Sequence, residues 1–333
     1  MRTTFMRAVV IGALIVSGAF GAAHAQEKFV IKLGHVLAPQ SHYQATALEF
    51  AKLAGQDSQG RIEVRIFPQA QLGGELQEIE ALRTGLQDMM ICSQAAMVNT
   101  IKQLEIFDIP YLFDNLDEAN RVMQGPVGQK FLDMMPAANI IGLAWISNLE
   151  RNLFTTKKTI HSLADMKDLK VRVLQSRGLI AAFKSLGANP TPIAYNQLFL
   201  SLSQGVVDAA DTSPDQFIQD KFIDISKHYY LTHVNYMPVV LAIGKPTWMK
   251  LPPDLQKVVK EAAVKAAQLD LKEYKRQYDL ALAEIKKAGV DVEPVDIKSW
   301  AAATIPAREE LIARVPNGKA LYEEIIAAEK APQ

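Results

Sequence analysis

The sequence predicts an α/β protein with two similar lobes that face a cleft, and with a long helix towards the end of the chain. Three observations predict this fold class. The chain has 333 residues, which is more than one hydrophobic core usually organises. The order strand–helix–strand–helix–strand occurs twice in the sequence, and this order is typical of parallel sheets covered by helices. An amphipathic pattern then continues over residues 251–289.

The first copy of the repeated order begins with the strand FVIKLGHV at residues 29–36, which a helix near 42–57 follows. A second strand, RIEVRIFP, is predicted over 61–68 and leads to a helix near 74–85. The third strand, LQDMMICS, covers 86–93. Short apolar strands that alternate with helix-length segments predict βαβ units.

The second copy has the same order of elements with different residues. The strand LKVRVLQS at 169–176 precedes a helix near 178–187, and ANPTPIAY follows as a strand at 188–195. A helix near 196–204 then leads to the strand GVVDAADTS at 205–213. Two such units in one chain predict two similar lobes.

The repeat also predicts where a ligand would bind. In open α/β sheets, ligands bind beyond the carboxyl ends of the parallel strands. The strand ends that the repeat brings to the cleft are near His35, Ser93, Gln175 and Thr212. We therefore expect a binding cleft between the lobes, close to these four positions.

The segment 251–289 predicts a single long helix. Pro252 and Pro253 stand in its first turn, where proline is tolerated, and Gly289 follows its end. A helix of this length can lie across both lobes, or it can cover the surface of one lobe. The pattern alone leaves both arrangements open.

The N-terminus predicts a secretory signal peptide over residues 1–25. Two arginines precede an apolar run at 8–20, and Ala23 and Ala25 are small residues at the positions that a signal peptidase reads. Cleavage there leaves a mature chain that begins at Gln26. We therefore expect an exported protein, located in the bacterial periplasm.

The charge and cysteine content exclude some classes of protein. The mature chain has 34 basic and 36 acidic residues, because the signal peptide contains two arginines and no acid. This balance gives no reason to expect a nucleic-acid partner. Cys92 is the single cysteine, so an intramolecular disulfide is excluded, and its apolar surroundings predict an inert core residue.

The sequence lacks the motifs that mark catalytic, metal or cofactor sites. The segment GQDSQG at 55–60 is close to a nucleophile elbow, but its glycines are one residue too far apart. There is no glycine-rich phosphate loop and no pair of histidines with metal-binding spacing. We therefore expect a binding protein with no cofactor or metal, and not an enzyme. An exported α/β hydrolase is the alternative.

Arg172 stands in the predicted strand 169–176, where Leu169, Val171 and Val173 alternate on the opposite face. A strand inside an α/β sheet is covered on both faces. A buried guanidinium group keeps its charge, so Arg172 needs an anionic partner. That partner is either an acid of the chain or a ligand, and the residues alone leave this open.

Four blocks of the sequence resemble one family. They are FPQAQLGGELQEIEALRTGLQDMM at 67–90, DIPYLFDN at 108–115, the block 169–214, and KPTWMKLPPDLQKVVKEAA at 245–263. These blocks resemble the solute-binding subunits of tripartite ATP-independent periplasmic (TRAP) transporters, of the DctP type. The resemblance extends from about residue 29 to 290.

The resemblance implies a fold of the periplasmic binding protein type, with a hinge that closes the two lobes over a ligand. It implies that the protein captures an organic acid, a C4-dicarboxylate or a keto or sugar acid. The acid would then pass to the small and large membrane subunits of a TRAP permease. We expect a monomer. A binding protein of an ABC transporter is a further alternative, because it shares the two-lobed design.

The resemblance also implies a set of ligand-binding residues. The arginine of the family's K-x-R-V strand pairs with the ligand carboxylate, and the matching residue is Arg172. A second cleft arginine maps to Arg151, in ERNLFTTKK at 150–158. Supporting ligand-binding positions map to Glu75, Ser93, Gln175, Tyr195, Asp211 and Thr212. Many members have D-G-x-E-N-P where this chain has DAADTSP, so Asp211 and Thr212 depart from the sugar-acid pattern.

The lobe boundaries follow from the repeat and from the long helix. We expect residues 26–150 and about 236–270 to form lobe 1. Residues 151–235 and about 271–333 would form lobe 2. The long helix would then begin in lobe 1 and end in lobe 2.

Overall fold

The structure is a computed structural model that describes residues 27–331. The predicted signal peptide, residues 1–25, lies outside the described residues. Strands in the described range are β1 (Phe29–Gly34), β2 (Ile62–Phe67), β3 (Met89–Ser93), β4 (Ile140–Trp145), β5 (Leu149–Thr155), β6 (Lys170–Val173), β7 (Asn189–Pro192), β8 (Ala209–Thr212), β9 (His228–Met237), β10 (Val239–Gly244) and β11 (Asp291–Pro294).

The α-helices in the same range are α1 (His42–Asp57), α2 (Glu75–Thr84), α3 (Gln94–Met97), α4 (Leu116–Gln124), α5 (Pro126–Leu132), α6 (Arg177–Ser185), α7 (Leu198–Ser203), α8 (Pro214–Gln219), α9 (Phe222–Ile225), α10 (Lys245–Trp248), α11 (Pro253–Lys287), α12 (Ile297–Ala303), α13 (Ile305–Arg314) and α14 (Gly318–Glu329). Short 3₁₀ helices cover Lys102–Asp108, Met135–Ala138, Leu163–Met166 and Tyr195–Gln197.

The strands form two sheets, one for each copy of the repeated order. The first sheet has the order β2-β1-β3-β10-β4, and the second has the order β11-β9-β5-β8-β6-β7. The three strands of each copy are parallel, since β1 pairs with β2 and β3, and β6 pairs with β7 and β8. An antiparallel strand, β10 or β5, pairs with the third strand of each copy. The two sheets confirm the prediction of two similar α/β lobes.

Turns and caps determine where the repeated elements begin and end. Helix α2 stops at Gly85, whose φ of 79° lies in the left-handed region that favours glycine. The strand predicted over 86–93 therefore begins only at Met89. Helix α6 begins after Ser176, whose side chain accepts a hydrogen bond from Gly178 N over 3.1 Å. The predicted strands are slightly too long because the prediction includes these turn residues.

Helix α11 lies across both lobes. It packs on α1 of the first lobe and on α8 of the second. Ala262, Ala263 and Ala266 are fully buried, and their small side chains let the neighbouring elements approach closely. The sequence pattern left two arrangements open, and the structure has the one that spans the lobes. Among the described residues, none of the helices is both long and apolar enough to cross a lipid bilayer.

The last two helices, α13 and α14, contact different parts of the protein, and α14 packs against α4 and α5 of the first lobe. Leu311, Leu321 and Ile325 belong to the same apolar cluster as Met90 of β3 and Val122 of α4. Helix α13 also contacts α6 of the second lobe. The lobe boundaries therefore stay a prediction.

Candidate functional site

Arg172 lies on β6, between β7 and β8 in the second sheet. Its side chain is fully buried. Its Nε donates a hydrogen bond to the carbonyl oxygen of Ile193 over 2.8 Å. Both terminal nitrogens, Nη1 and Nη2, are buried without a hydrogen-bond partner among the residues that the structure describes. Buried donors normally have partners, so these two groups are open to an acceptor from outside the chain.

The charge of Arg172 persists despite its surroundings. Burial, together with the positive charge of Arg151, lowers the pKa of Arg172 to about 10. The guanidinium group therefore still carries its proton at neutral pH. Its carbon Cζ lies 5.6 Å from the centre of the Tyr195 ring, within the range of a cation–π interaction. The Tyr195 hydroxyl donates to Asp220 Oδ2 over 2.5 Å, which orients the ring.

Arg151 lies on β5, and an acid of the chain already occupies its guanidinium group. Its Nε donates to Asp211 Oδ2 over 2.9 Å, its Nη2 donates to the backbone oxygen of Asp211, and its Nη1 donates to Gln216 Oε1 over 3.4 Å. Burial opposes the charge of Arg151, but Asp211 leaves the pKa of Arg151 raised. The guanidinium group of Arg151 is therefore buried and charged at neutral pH.

Glu75 brings a carboxyl group to the same place from the first lobe. It is the first residue of α2, and its Oε1 accepts a hydrogen bond from Ser93 N over 2.7 Å. Its Oε2 accepts another from Ser93 Oγ over 3.2 Å. Burial raises the pKa of Glu75, although the Ser93 hydrogen bonds and the charges of Arg172 and Arg151 oppose this effect. Two guanidinium groups and two carboxyl groups therefore lie close together.

A small cavity lies at these groups. Residues of both lobes line it: Val36, Leu37, Tyr43, Glu75, Ser93, Leu149, Arg151, Leu174, Tyr195, Gln216 and Met237. A larger cavity opens between residues 110–114 and 297–308. We place the site in the smaller cavity, because the unpartnered guanidinium group of Arg172 lies against Tyr195 in its wall.

Some of the predicted site residues line the cavity, and others lie outside its wall. Four of them line the cavity: Glu75, Ser93, Arg151 and Tyr195. Thr212 is buried, and its hydroxyl donates to Gln216 Oε1 over 2.7 Å. Gln175 is half-buried, and its backbone oxygen accepts a hydrogen bond from Asn99 Nδ2 over 3.0 Å. The structure thus brings most of the predicted residues together, while their contacts with a ligand stay a prediction.

Sequence reasoning missed two polar residues of the cavity wall, Tyr43 and Gln216. Gln216 joins Arg151 to Thr212 through hydrogen bonds. Tyr43 stands in the first turn of α1, and Gln216 stands in the first turn of α8. Each of these helices follows the carboxyl end of a parallel strand, where ligands bind in α/β sheets, and this position is the signal that could have found them.

Comparison with known proteins agrees with this arrangement. The sequence pattern of the DctP family, described as "Bacterial extracellular solute-binding protein, family 7", matches residues 33–314. The C4-dicarboxylate-binding periplasmic protein DctP of Rhodobacter capsulatus is 28% identical over 337 residues, which cover 99% of each chain.

Two solved structures share the fold. One is the sugar acid binding protein DctPAm from Advenella mimigardefordensis strain DPN7T in complex with galactonate, with 29% identity and a TM-score of 0.88 over 91% of this chain and 98% of that chain. The other is a TRAP periplasmic solute-binding protein from Polaromonas sp. JS666 bound to D-erythronate, with 32% identity and a TM-score of 0.87 over 92% and 100%. The chain therefore belongs to the DctP family of bacterial extracellular solute-binding proteins, as its sequence blocks predict.

Proposed function

We propose that this protein binds a hydroxylated organic acid in the cavity between its lobes, with the carboxylate held by Arg172. The observation that carries the proposal is the buried guanidinium group of Arg172, whose Nη1 and Nη2 have no partner among the described residues. A planar guanidinium group matches a carboxylate through two parallel hydrogen bonds. A buried charge without a partner is costly, so a bound anion would remove that cost.

The charges around the cavity favour a ligand with a single carboxylate. Arg151 is already engaged by Asp211, and Glu75 adds an acidic group to the wall. A second ligand carboxylate would meet no free cation in the described wall and would face Glu75. The carboxyl group of Glu75 and the amide of Gln216 are suited to bind ligand hydroxyl groups. We therefore favour a sugar acid or another hydroxy acid over a C4-dicarboxylate.

The comparisons support the same class of ligand. The two solved neighbours bind galactonate and D-erythronate, and each of these acids has one carboxylate and several hydroxyl groups. The relative from Rhodobacter capsulatus is named for C4-dicarboxylate binding, so the family includes both classes. We choose between the two classes of ligand from the ion pair of Arg151 with Asp211, because this pair leaves Arg151 unavailable for a second carboxylate.

The family also supports a role in transport. We propose that the signal peptide directs the protein to the periplasm, where it acts as a monomer. It would release its acid, chemically unchanged, to the small and large membrane subunits of a TRAP permease. Mass analysis of the acid before and after incubation would reveal any chemical conversion.

A thermal-shift screen tests the ligand class directly. A compound that binds only the folded protein raises its melting temperature. We expect galactonate or D-erythronate to raise the melting temperature, and we expect succinate at the same concentration to have little effect. A shift with succinate that exceeds the shifts with both hydroxy acids would contradict the preference for one carboxylate. The absence of a shift with any organic acid would contradict the proposed function.

A further inference from the structure

The two lobes meet at a second buried contact, which lies outside the cavity wall. Asp108 ends the 3₁₀ helix Lys102–Asp108 of the first lobe and is fully buried. Its Oδ1 accepts a hydrogen bond from Gln94 Nε2 over 3.0 Å. Its Oδ2 accepts a hydrogen bond from the hydroxyl of Ser176, which caps α6 of the second lobe. The carboxyl group of Asp108 therefore joins the end of this 3₁₀ helix in the first lobe to the start of α6 in the second lobe.

Gly178 makes this close contact sterically feasible. A β-carbon at position 178 would lie 2.6 Å from Cβ of Asp108 and 2.6 Å from its Oδ2. These distances are too short for atoms that are not bonded to each other. Gly178 lies within α6, where glycine is normally less favourable than alanine. The close approach of Asp108 therefore explains why position 178 is a glycine, whereas the helical conformation alone would favour alanine.

A neighbouring hydrogen bond joins the lobes at the same turn. Asn99 Nδ2 of the first lobe donates to the backbone oxygen of Gln175 over 3.0 Å. Gln175 and Ser176 follow β6, the strand that carries Arg172, after one intervening residue. The contact therefore holds the end of the strand that presents the unpartnered cation.

We propose that the contact of Asp108 with Ser176 and Gly178 forms when the lobes close, and that it sets ligand affinity without touching the ligand. Asp108 and Gly178 are then positioning residues for binding, because they hold the closed arrangement of β6 against the first lobe. The affinity part of this proposal rests on the proposed function, since it needs an acid that binds between the lobes. The closure part does not.

Gly178→Ala is the variant that separates closure from folding. Alanine favours the helix, so the ligand-free melting temperature should stay equal or rise, while the closed state becomes crowded. The apparent affinity for D-erythronate or galactonate, measured by calorimetry, should fall by about tenfold or more, because it scales with the population of the binding-competent state. Gly55→Ala is the matched control in α1, since the nearest atom to its β-carbon would be 3.7 Å away.

Closure can also be measured without any ligand. Cysteines introduced as Asn99→Cys and Gln175→Cys would be adjacent only when the lobes are closed, and a short bifunctional thiol reagent would join them. The native Cys92 is buried and should not compete. In this background, Gly178→Ala should slow cross-linking several-fold, and Gly55→Ala should leave its rate unchanged.

The two measurements keep the proposals apart. If the wild type binds no acid but Gly178→Ala still slows cross-linking, the proposed function fails and the closing contact stands. If the wild type binds an acid and Gly178→Ala binds it equally well, the contact does not set affinity. Equal cross-linking rates for Gly178→Ala and the Gly55→Ala control would likewise overturn the closing contact.

Discussion

Arg151 and Arg172 lie on strands that flank β8, and both are buried, but only Arg151 has a carboxylate partner in the described part of the chain. Asp211 pairs with Arg151, whereas the terminal nitrogens of Arg172 have no hydrogen-bond acceptor among the described residues. The two arginines therefore have different roles in the same site. Arg151 is part of the cavity wall, and we propose that Arg172 pairs with the ligand anion.

The stability of the ligand-free protein should separate these roles. Arg151→Gln leaves Asp211 buried without its partner, so it should lower the free energy of unfolding by about 3–5 kcal/mol. Arg172→Gln removes a charge that burial already disfavours, so the loss should be at most about 1 kcal/mol. Urea denaturation of the two ligand-free variants measures the difference. Equal losses would show that Arg172 also has a structural partner.

Asp270 should be one of the main stabilising residues of α11. Its Oδ1 accepts from Thr46 Oγ1 over 2.6 Å and shares a hydrogen bond with His42 Nδ1 over 2.9 Å, and its Oδ2 accepts from Ser147 N over 2.7 Å. Asp270→Ala should lower the free energy of unfolding by about 3–5 kcal/mol, because it leaves buried donors without an acceptor. Asp279→Ala, at an exposed position of the same helix, should cost less than about 1 kcal/mol. Similar losses in both variants would contradict this role.

The repeated strands and helices could be predicted from the sequence because each depends on local apolar spacing. The long helix α11 is marked by its prolines and by Gly289 in the same local way. The ion pair of Arg151 with Asp211 could not be predicted, because it depends on how β5 and β8 pair across the second sheet. The sequence suggested both residues as ligand contacts, and only the antiparallel pairing of the two strands shows that they contact each other.

The packing of the chain end could not be predicted for a similar reason. Helices α13 and α14 are short, and their contacts with α6, α4 and the 3₁₀ helix Lys102–Asp108 join segments that lie far apart in the sequence. Arg172 could be singled out from its strand alone, because a cation inside a covered strand is unusual in any fold. The sequence did not decide whether Arg172 pairs with an acid of the chain or with a ligand. The structure favours a ligand, because no acid of the described chain pairs with Arg172.

Glu78 should make the stability of the protein depend on pH. It is fully buried, and burial raises its pKa to about 8 from an ordinary value of 4.5, while a hydrogen bond from Gln87 opposes the shift. A carboxyl group with a raised pKa in the folded state contributes stability below about pH 4.5, and this stability is lost as the pH rises towards 8. The wild type should therefore lose about 2–4 kcal/mol relative to Glu78→Gln between about pH 5 and 8.

Denaturation at several pH values measures this dependence. Glu80→Gln, at an exposed position of the same helix, is the control and should keep the pH profile of the wild type. A Glu78→Gln profile that matches the wild type would show that Glu78 is not the titrating group.

Asp108 should make ligand affinity depend on pH. Burial raises the pKa of Asp108 to about 7, although the hydrogen bonds from Gln94 and Ser176 oppose the shift. The charge of Glu105 adds to the increase, and the charge of Arg314 opposes it. Separation of the lobes would expose the carboxyl group to water and return its pKa towards the ordinary value of 3.8. The closed form therefore retains a proton that the open form releases, so affinity should weaken about tenfold or more as the pH rises from about 5 to 7. Calorimetry with Asp108→Asn should give a nearly flat profile, and a profile as steep as that of the wild type would contradict the assignment.

Calorimetric titration of Arg172→Gln with the acid that stabilises the wild type most, with Lys170→Gln as the control on the same strand, tests the central claim most directly. The side chain of Lys170 is exposed, so its replacement should leave the affinity unchanged. Arg172→Gln should weaken binding about 100-fold or more, because the ligand carboxylate would lose its buried cation. An affinity for Arg172→Gln equal to that of Lys170→Gln would show that the acid is held elsewhere.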